Sequence, residues 1–421
     1  MKTRKLGILW IAFLGTHSCI EEVDINTDLE PAVALKDILV VEATLTDRLE
    51  FQNVLLSKPS PLGADTVRIE EQNARVVVLE ESSGVSHTFS EAAPGTYRSD
   101  KAFAANLGGS YTLRITLSNG REYESNKEQL PGTSVIDEIY ADRILSSTDV
   151  DGVGIFVDGS SPDASFRNYK YTYEETYKII APNWTPFEFE VLNDGSEPGS
   201  VPAVQLIERP QEEQVCYNTV RSNAVILSEG TNLTNGQSVG NLVRFTSRDN
   251  PIISHRYSIL VRQYLQTPEA HSFYRSLKDF SSSDNIFNQV QPGLLQGNIR
   301  PVAGGDSFVL GYFEVSSVSE SRLFFDYVDF FPGDPLPPYF DGLNCERFIA
   351  PLLGDPARDG PVPPNVTCGQ GLLDLLALEE IEYYLENDPP GECQGPYFVT
   401  SRACGDCTAL GSNEVPEFWT E

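Results

Sequence analysis

From Asp37 onward, apolar and polar positions alternate in short runs separated by turn residues. Ile38-Leu-Val-Val-Glu-Ala-Thr-Leu-Thr46 is rich in β-branched residues, Phe51 to Ser57 is a second run, and Ala74-Arg-Val-Val-Val-Leu-Glu80 is a third. Val85 to Phe89 and Thr96-Tyr97-Arg98 follow turns at Ser83-Gly84 and Pro94-Gly95. The cleanest alternation is Tyr111-Thr-Leu-Arg-Ile-Thr-Leu117, with Tyr111, Leu113, Ile115 and Leu117 on one face. Asn119-Gly120 then supplies the two residues that a tight hairpin needs at positive φ, and Arg121 to Ser125 returns. About seven short strands at this spacing predict a β-sandwich over residues 37–131.

A second β-rich domain is predicted over residues 132–330. Its clearest strands are Val135–Tyr140, Gly154–Asp158, Tyr169–Ile180, Phe187–Val191, Ser254–Leu265, Phe308–Val315 and Arg322–Val328. One helix interrupts them near 268–280. Thr267 is its cap, Pro268 suits the first helical position, and Glu269 suits the positive end of the dipole. Ala270, Phe273, Tyr274 and Leu277 then share a face, which predicts a core-facing stripe. Residues 331–421 are irregular and rich in Pro and Cys, with a short helix expected over Leu372–Leu385. So irregular a region buries little by itself and is expected to pack on the second domain.

The first 36 residues break the β pattern. Met1 to Lys5 is basic and Leu6 to Leu14 is apolar, about half the roughly 20 residues of a membrane-spanning helix. Gly15 to Ser18 and then Cys19 follow. This predicts a signal peptide over 1–18, cut before a lipidated Cys19, and a tether over 19–36. An ordinary signal peptide with a chance cysteine is the alternative, since Thr16 replaces the Leu or Val usual three residues before a lipidated cysteine. Glu21, Glu22 and Asp24 resemble the acidic export signal of surface-displayed lipoproteins.

Charge narrows the partners. The chain carries -31, and loss of Lys2, Arg4 and Lys5 with the signal leaves 27 basic residues against 61 acidic. Such a surface repels nucleic acid. Six cysteines remain after Cys19: Cys216, Cys345, Cys368, Cys393, Cys404 and Cys407. An even number in an exported chain predicts structural disulfides, and the spacing does not choose among the connectivities.

Catalytic patterns are sparse. His87, His255 and His271 stand far apart with no metal-ligand spacing, and no nucleophile elbow or phosphate-binding loop is present. No catalytic residue, metal ligand or cofactor is therefore assigned. Cys404-Gly-Asp-Cys407 lacks both the strand–helix context of a redox pair and the second ligand pair of a zinc knuckle. Asp149-Val-Asp151-Gly152 lacks the later ligands of a calcium loop and reads as an acidic turn. Tyr169, Tyr171, Tyr173, Trp184 and Phe187 cluster in one strand–loop unit, and exposed aromatics there would stack on sugars or anchor a protein. The competing reading places them in the core.

Several short motifs recur in a fixed order: Leu39-Val-Val-Glu, Gly95-x-Tyr97, Gly109-x-Tyr111, Leu130-Pro131, Ile136-Asp-Glu-Ile-Tyr140 and Asn168-Tyr169-x-Tyr171. Glu175-Thr-Tyr177, Glu269-Ala-x-x-Phe-Tyr274, Gly297-Asn298-Ile299, Leu310-Gly-Tyr-Phe313, Cys404-x-x-Cys407 and Pro416-x-Phe-Trp419 follow. In that order they resemble the Bacteroidota lipoprotein family catalogued as domain-of-unknown-function family 4249. The resemblance implies an outer-membrane lipoprotein, often encoded beside a TonB-dependent receptor, with an immunoglobulin- or transthyretin-like first domain. No activity is assigned to the family. The expectation is a non-enzymatic binding protein on the outer membrane, facing outward or toward the periplasm. It would partner a TonB-dependent receptor or capture that receptor's glycan or peptide ligand. An adhesin or glycan-binding module is the alternative, and a hydrolase the third reading.

Overall fold

The computed structural model describes residues 38–59, 68–162, 168–229, 237–282, 295, 297–304, 308–340 and 342–421. The signal peptide, Cys19, Glu21, Glu22, Asp24 and the tether lie outside the described residues. The chain is mainly β. The first nine strands are β1 (Leu39–Thr46), β2 (Asn53–Pro59), β3 (Arg68–Glu70), β4 (Arg75–Glu80), β5 (Val85–Ala93), β6 (Thr96–Ser99), β7 (Ser110–Thr116), β8 (Glu122–Ser125) and β9 (Glu128–Gln129). Next come β10 (Val135–Leu145), β11 (Asp151–Ser160), β12 (Asn168–Ile180), β13 (Phe187–Asn193), β14 (Ala203–Glu208), β15 (Val215–Arg221), β16 (Ile226–Glu229) and β17 (Gln237–Ser247). The rest are β18 (Tyr257–Gln266), β19 (Ile299–Pro301), β20 (Val309–Phe325), β21 (Ile381–Glu386) and β22 (Tyr397–Ser401). The helices are α1 (Pro268–Ser282), α2 (Tyr327–Phe330), α3 (Leu372–Ala377) and α4 (Arg402–Gly405).

The alternation read in the sequence is the alternation of burial. Leu39, Val41, Ala43 and Leu45 of β1 face the first core, as do Tyr111, Leu113 and Ile115 of β7. A strand exposes successive side chains on opposite faces, so one apolar residue in two is enough to build a core. The strands run in the order β15-β12-β18-β20-β1-β2-β6-β5-β4-β7-β8-β19.

Strand β20 ties the two halves together. Its first part, from Val309 to Ser316, runs parallel to β1, with Val41 opposite Gly311. Its second part, from Ser317 to Phe325, runs antiparallel to β18. Val309, Phe313 and Val315 therefore enter the first core and Phe325 the second. Periodicity predicts two strands here, because Ser316-Ser-Val-Ser-Glu-Ser321 is polar; the structure joins them. The polar link is held by groups from outside the strand: Ser317 Oγ donates to Asp47 at 2.6 Å, and the Ser134 backbone N–H donates to Ser317 Oγ at 2.9 Å.

The second core lies between the β10-β11-β17 sheet and the β12-β18 region. Val153, Ile155, Val157, Tyr169, Tyr171, Ile259 and Val261 fill it. A third, smaller core is made by hairpins β13–β14 and β21–β22 with α3. The helix expected over Leu372–Leu385 stops at Ala377, and Ile381–Glu386 is a strand instead. Glu379 takes φ 54°, which no helix continues, and Ile381 and Tyr383 then alternate into the third core.

All six cysteines pair: Cys216–Cys407, Cys345–Cys404 and Cys368–Cys393. The two cysteines of the CxxC thus hold two different distant segments. The last residues lie against the second half. Trp419 packs edge-on to Tyr217 at 4.8 Å, Arg322 sits 3.5 Å over Phe418, and Lys178 pairs with Glu421 at 2.9 Å.

Candidate binding cleft

Helix α1 is where the two halves meet. The Ala270 N–H donates to Thr267 Oγ1 at 3.2 Å, which caps the helix. Ala270 and Phe273 are buried, with Tyr274 and Leu277 packed beside them. Beneath the helix lies a buried ion pair, Lys170 of β12 with Glu314 of β20. Gln266 Nε2 and Ser316 Oγ also donate to Glu314, at 2.9 and 2.6 Å. Tyr274 covers the Lys170 ammonium at 4.1 Å. Burial opposes both charges, but each offsets the cost for the other. The Glu314 carboxyl is held below its ordinary value and Lys170 is pushed above its own.

On one side of α1 opens a cleft of about 940 Å³. Its walls are the 126–131 segment, the Thr267–Ser276 face of the helix, Gly297-Asn298 and Tyr312. Two glycines let the chain cross β20 here. A Cβ on Gly297 would overlap the Gly311 carbonyl, and a Cβ on Gly311 would overlap that of Val41. The crossing brings Asn298 against Phe313, where its side-chain amide accepts from the Phe313 N–H at 2.8 Å and donates to the Phe313 carbonyl at 2.9 Å. Asn298 Nδ2 also donates to Glu128 Oε1 at 2.7 Å, and the Tyr312 hydroxyl donates to the same oxygen at 2.9 Å. The Tyr312 ring lies 5.5 Å from that of Phe273.

Burial pushes the Glu128 carboxyl above its ordinary value. The bonds from Asn298 and Tyr312 oppose this, while the charges of Glu269 and Glu314 add to it. Burial, then Glu128, push the Tyr312 phenol up as well. Chemically, the cleft is a preformed polar surface with an aromatic wall. Glu128 is already engaged by two donors, the Asn298 amide and the Tyr312 hydroxyl, and the described lining residues include neither a thiol nor an imidazole. A second hollow of about 550 Å³ flanks the other side of α1, between Phe51, Thr44, Lys170, Tyr264 and Tyr274.

The aromatic residues singled out in the sequence do not form one surface. Tyr169 and Tyr171 are 0% and 1% exposed in the second core, so neither ring meets a ligand. Tyr173 and Trp184 are half-buried against that core, and Phe187 is 40% exposed on β13. His87 stacks on Phe103 at 3.7 Å and His271 Nδ1 meets Gln266 Oε1 at 3.1 Å, so each is tied to a different unit. Asp151 pairs with Arg143 in a two-point bond of 2.9 and 2.7 Å, and Asp149 sits in a turn at φ 59°. Sequence reasoning did not single out Glu128, Asn298, Phe273 and Tyr312 as a site. The available clue was Gly297-Asn298 and Leu310-Gly-Tyr-Phe313, two glycine-bearing motifs whose glycines prove to be in contact.

Residues 20–322 match the model of a family described as a domain of unknown function (DUF4249). The chain belongs to this family. No curated protein matches it. In this DUF4249 member, motifs far apart in sequence meet at the cleft. Leu130-Pro131, Glu269 with Phe273, Gly297-Asn298 and Tyr312 all line it. Residues 323–421 lie beyond the matched DUF4249 span, and with them five of the six paired cysteines.

Proposed function

We propose that this chain is a non-enzymatic binding protein held to the outer membrane through a lipidated Cys19. Its task is to partner a TonB-dependent transporter or capture that transporter's ligand. The observation that supports binding is the cleft itself: segments from both halves converge on it, and its groups are bonded into a fixed surface rather than set out as acid, base and nucleophile. Its position fits a membrane partner. The cleft abuts β20 at Tyr312, and β1 pairs with β20 from Leu39 onward. Residues 19–36 span at most roughly 60 Å when fully extended, which bounds how far the folded part could stand from an anchor at Cys19. Three disulfides fit an oxidising compartment.

The test is affinity purification of the tagged protein from membranes, followed by mass spectrometry. A β-barrel receptor is expected with wild type and lost with Cys19→Ser. Recovery of a fully soluble mature protein that carries no fatty acid would overturn the anchor.

A glycan-binding reading is favoured by a different place. Tyr140 and Phe156 stack at 5.4 Å on β10 and β11, beside Gly154, and Leu242 next to them is 46% exposed. Aromatic rings on a sheet face suit the apolar face of a sugar. Retardation of wild type, but not of Tyr140→Ala, in a gel containing soluble polysaccharide would support this reading; equal mobility in every polysaccharide tried would remove it.

A further inference from the structure

Away from the cleft, residues 416–421 lie on a surface that the proposed function does not use. We infer that this surface is a second recognition site, for a partner segment carrying two adjacent aromatic residues followed by a carboxylate. The chain's own Phe418 to Glu421 keeps it filled until such a segment displaces them.

Strand alternation builds the surface. Tyr177, Tyr257 and Phe325 turn into the second core, so their neighbours Lys178, Arg256 and Phe324 emerge on the opposite face of the sheet. Tyr217 of β15 stands directly across from Lys178 of β12, and Arg322 is two residues from Phe324 along β20, on the same face. Three cations and two rings thus gather on one face of a chain whose net charge is -31.

The seated segment shows what this face accepts. Trp419 is 9% exposed, edge-on to Tyr217 at 4.8 Å and to Phe324 at 5.8 Å. The Arg322 guanidinium lies 3.5 Å over the Phe418 ring. Lys178 donates to both carboxylate oxygens of Glu421, at 2.9 and 3.1 Å, and Arg256 donates to the Thr420 carbonyl. A buried aromatic anchor beside charged contacts is how interfaces concentrate their binding energy. A basic segment would meet three cations. An acidic segment without aromatic residues would leave Tyr217 and Phe324 uncovered.

The segment is anchored by contacts rather than woven into the sheet. Among the described residues, its backbone makes no ladder bond to a strand, and the Trp419 N–H returns to the Pro416 carbonyl within the segment at 2.9 Å. The chain before it is fixed separately, by Cys216–Cys407 and by paired backbone bonds of 2.8 and 2.9 Å between Tyr217 and Ser412. Val415, at the start of the segment, is 63% exposed. Residues 416–421 can therefore lift off while the rest stays closed. A segment tethered this closely competes at an effective concentration of roughly millimolar order, so the full chain masks its own site.

The experiment compares the mature full chain with the same chain lacking residues 416–421, both in non-ionic detergent, by fluorescence anisotropy of a labelled peptide of sequence 415–421. The shortened chain should bind the peptide at least about tenfold more tightly than the full chain. Trp419→Ala in the peptide should weaken binding at least about tenfold. On the shortened chain, Arg322→Gln and Lys178→Gln should each weaken binding severalfold, while Lys101→Gln, exposed in the first half, should leave it within about twofold. Thermal unfolding checks that each variant folds. Where the shortened chain does not fold, the full chain carrying Trp419→Ala decides, because its loosened segment should yield to the added peptide with a similar gain. A folded shortened chain that binds no peptide, equal binding by full and shortened chains, or equal binding of a scrambled peptide would each overturn the inference. So would a shortened chain that dimerises and ignores the peptide, since a second copy would then cover this face. Unfolding of both variants would make the segment part of the core and overturn it as well.

Discussion

The first core and the C-terminal region solve the same problem in opposite ways. Among the described residues, the first core gathers 21 buried apolar residues, mostly from regular strands, and none of them is a cysteine. The third core, which serves the C-terminal region, has eight, and every disulfide has at least one end in residues 331–421. Burial scales with how completely strands cover one another, so a region of proline-rich loops has little to gain from it. Cross-links compensate by restricting the unfolded chain. In the chain-entropy picture, Cys216–Cys407, which closes 191 residues, contributes about 5 kcal/mol, and Cys368–Cys393, which closes 25, about 3.5 kcal/mol. Cys216 lies on β15 and Cys407 in the second core, so this bond also ties the C-terminal region to the half before it.

The sharpest way to break the comparison is reduction. With all three disulfides reduced under native conditions, residues 331–421 should become open to trypsin while 38–325 stays protected, each lost bond costing about 2–5 kcal/mol. Simultaneous digestion of both regions would show that the first core depends on the cross-links after all.

The next effect belongs to the junction. Lys170→Met alone leaves Glu314 buried and unpaired and should cost about 3–5 kcal/mol in denaturant unfolding, whereas Lys170→Met with Glu314→Leu should recover most of it. A double variant as unstable as the single one would mean that the charges themselves, rather than their mutual compensation, hold the junction. The pH dependence has a definite sign. Glu314 has a lowered pKa, so its contribution is present above the ordinary carboxylate value and fades as pH falls through the lowered one. Lys170 has a raised pKa, so its contribution is present below the ordinary lysine value and is lost only as pH climbs through the raised one. The stability difference between wild type and the double variant should therefore be level around neutrality and shrink only at acid and strongly alkaline pH.

Smaller changes refine the picture. Asn298→Ala strips two bonds from the Phe313 backbone and one from Glu128, and should cost about 1–3 kcal/mol in chemical unfolding. A loss below about 0.5 kcal/mol would mean that the crossing strand, not the side chain, shapes the cleft. Smallest of all, Phe187→Ala on the half-open hairpin should shift stability by no more than about 0.5 kcal/mol, as measured by its thermal midpoint.

Legibility in the sequence followed the range of the interactions. Tyr111–Leu117 could be read because its pattern lies within seven residues and its partner returns after Asn119-Gly120. The helix after Thr267 could be read because its cap and stripe lie within one turn or two. Strands β14 to β17 were not recognised: Gln205, Glu208, Asn218 and Arg221 interrupt their apolar runs, and their regularity comes from the neighbours they pair with. The stretch from 372 to 385 misled because its leucines suit a helix, and only packing on the third core turns Ile381 and Tyr383 into a strand. The aromatic residues on β12 were visible, but not the sheet that covers two of them.

By itself, then, the chain's local order determined a mainly β protein, one capped helix and an even set of cysteines destined for bonds. Alternation, caps and turns act between neighbours and need no third partner. Tertiary structure alone decided which cysteines meet, that one strand serves two cores, and that Glu128, Asn298 and Tyr312 share one cleft with α1. Each of those depends on residues far apart along the chain, whose meeting is chosen by how the sheets pack and where a missing Cβ lets two backbones touch.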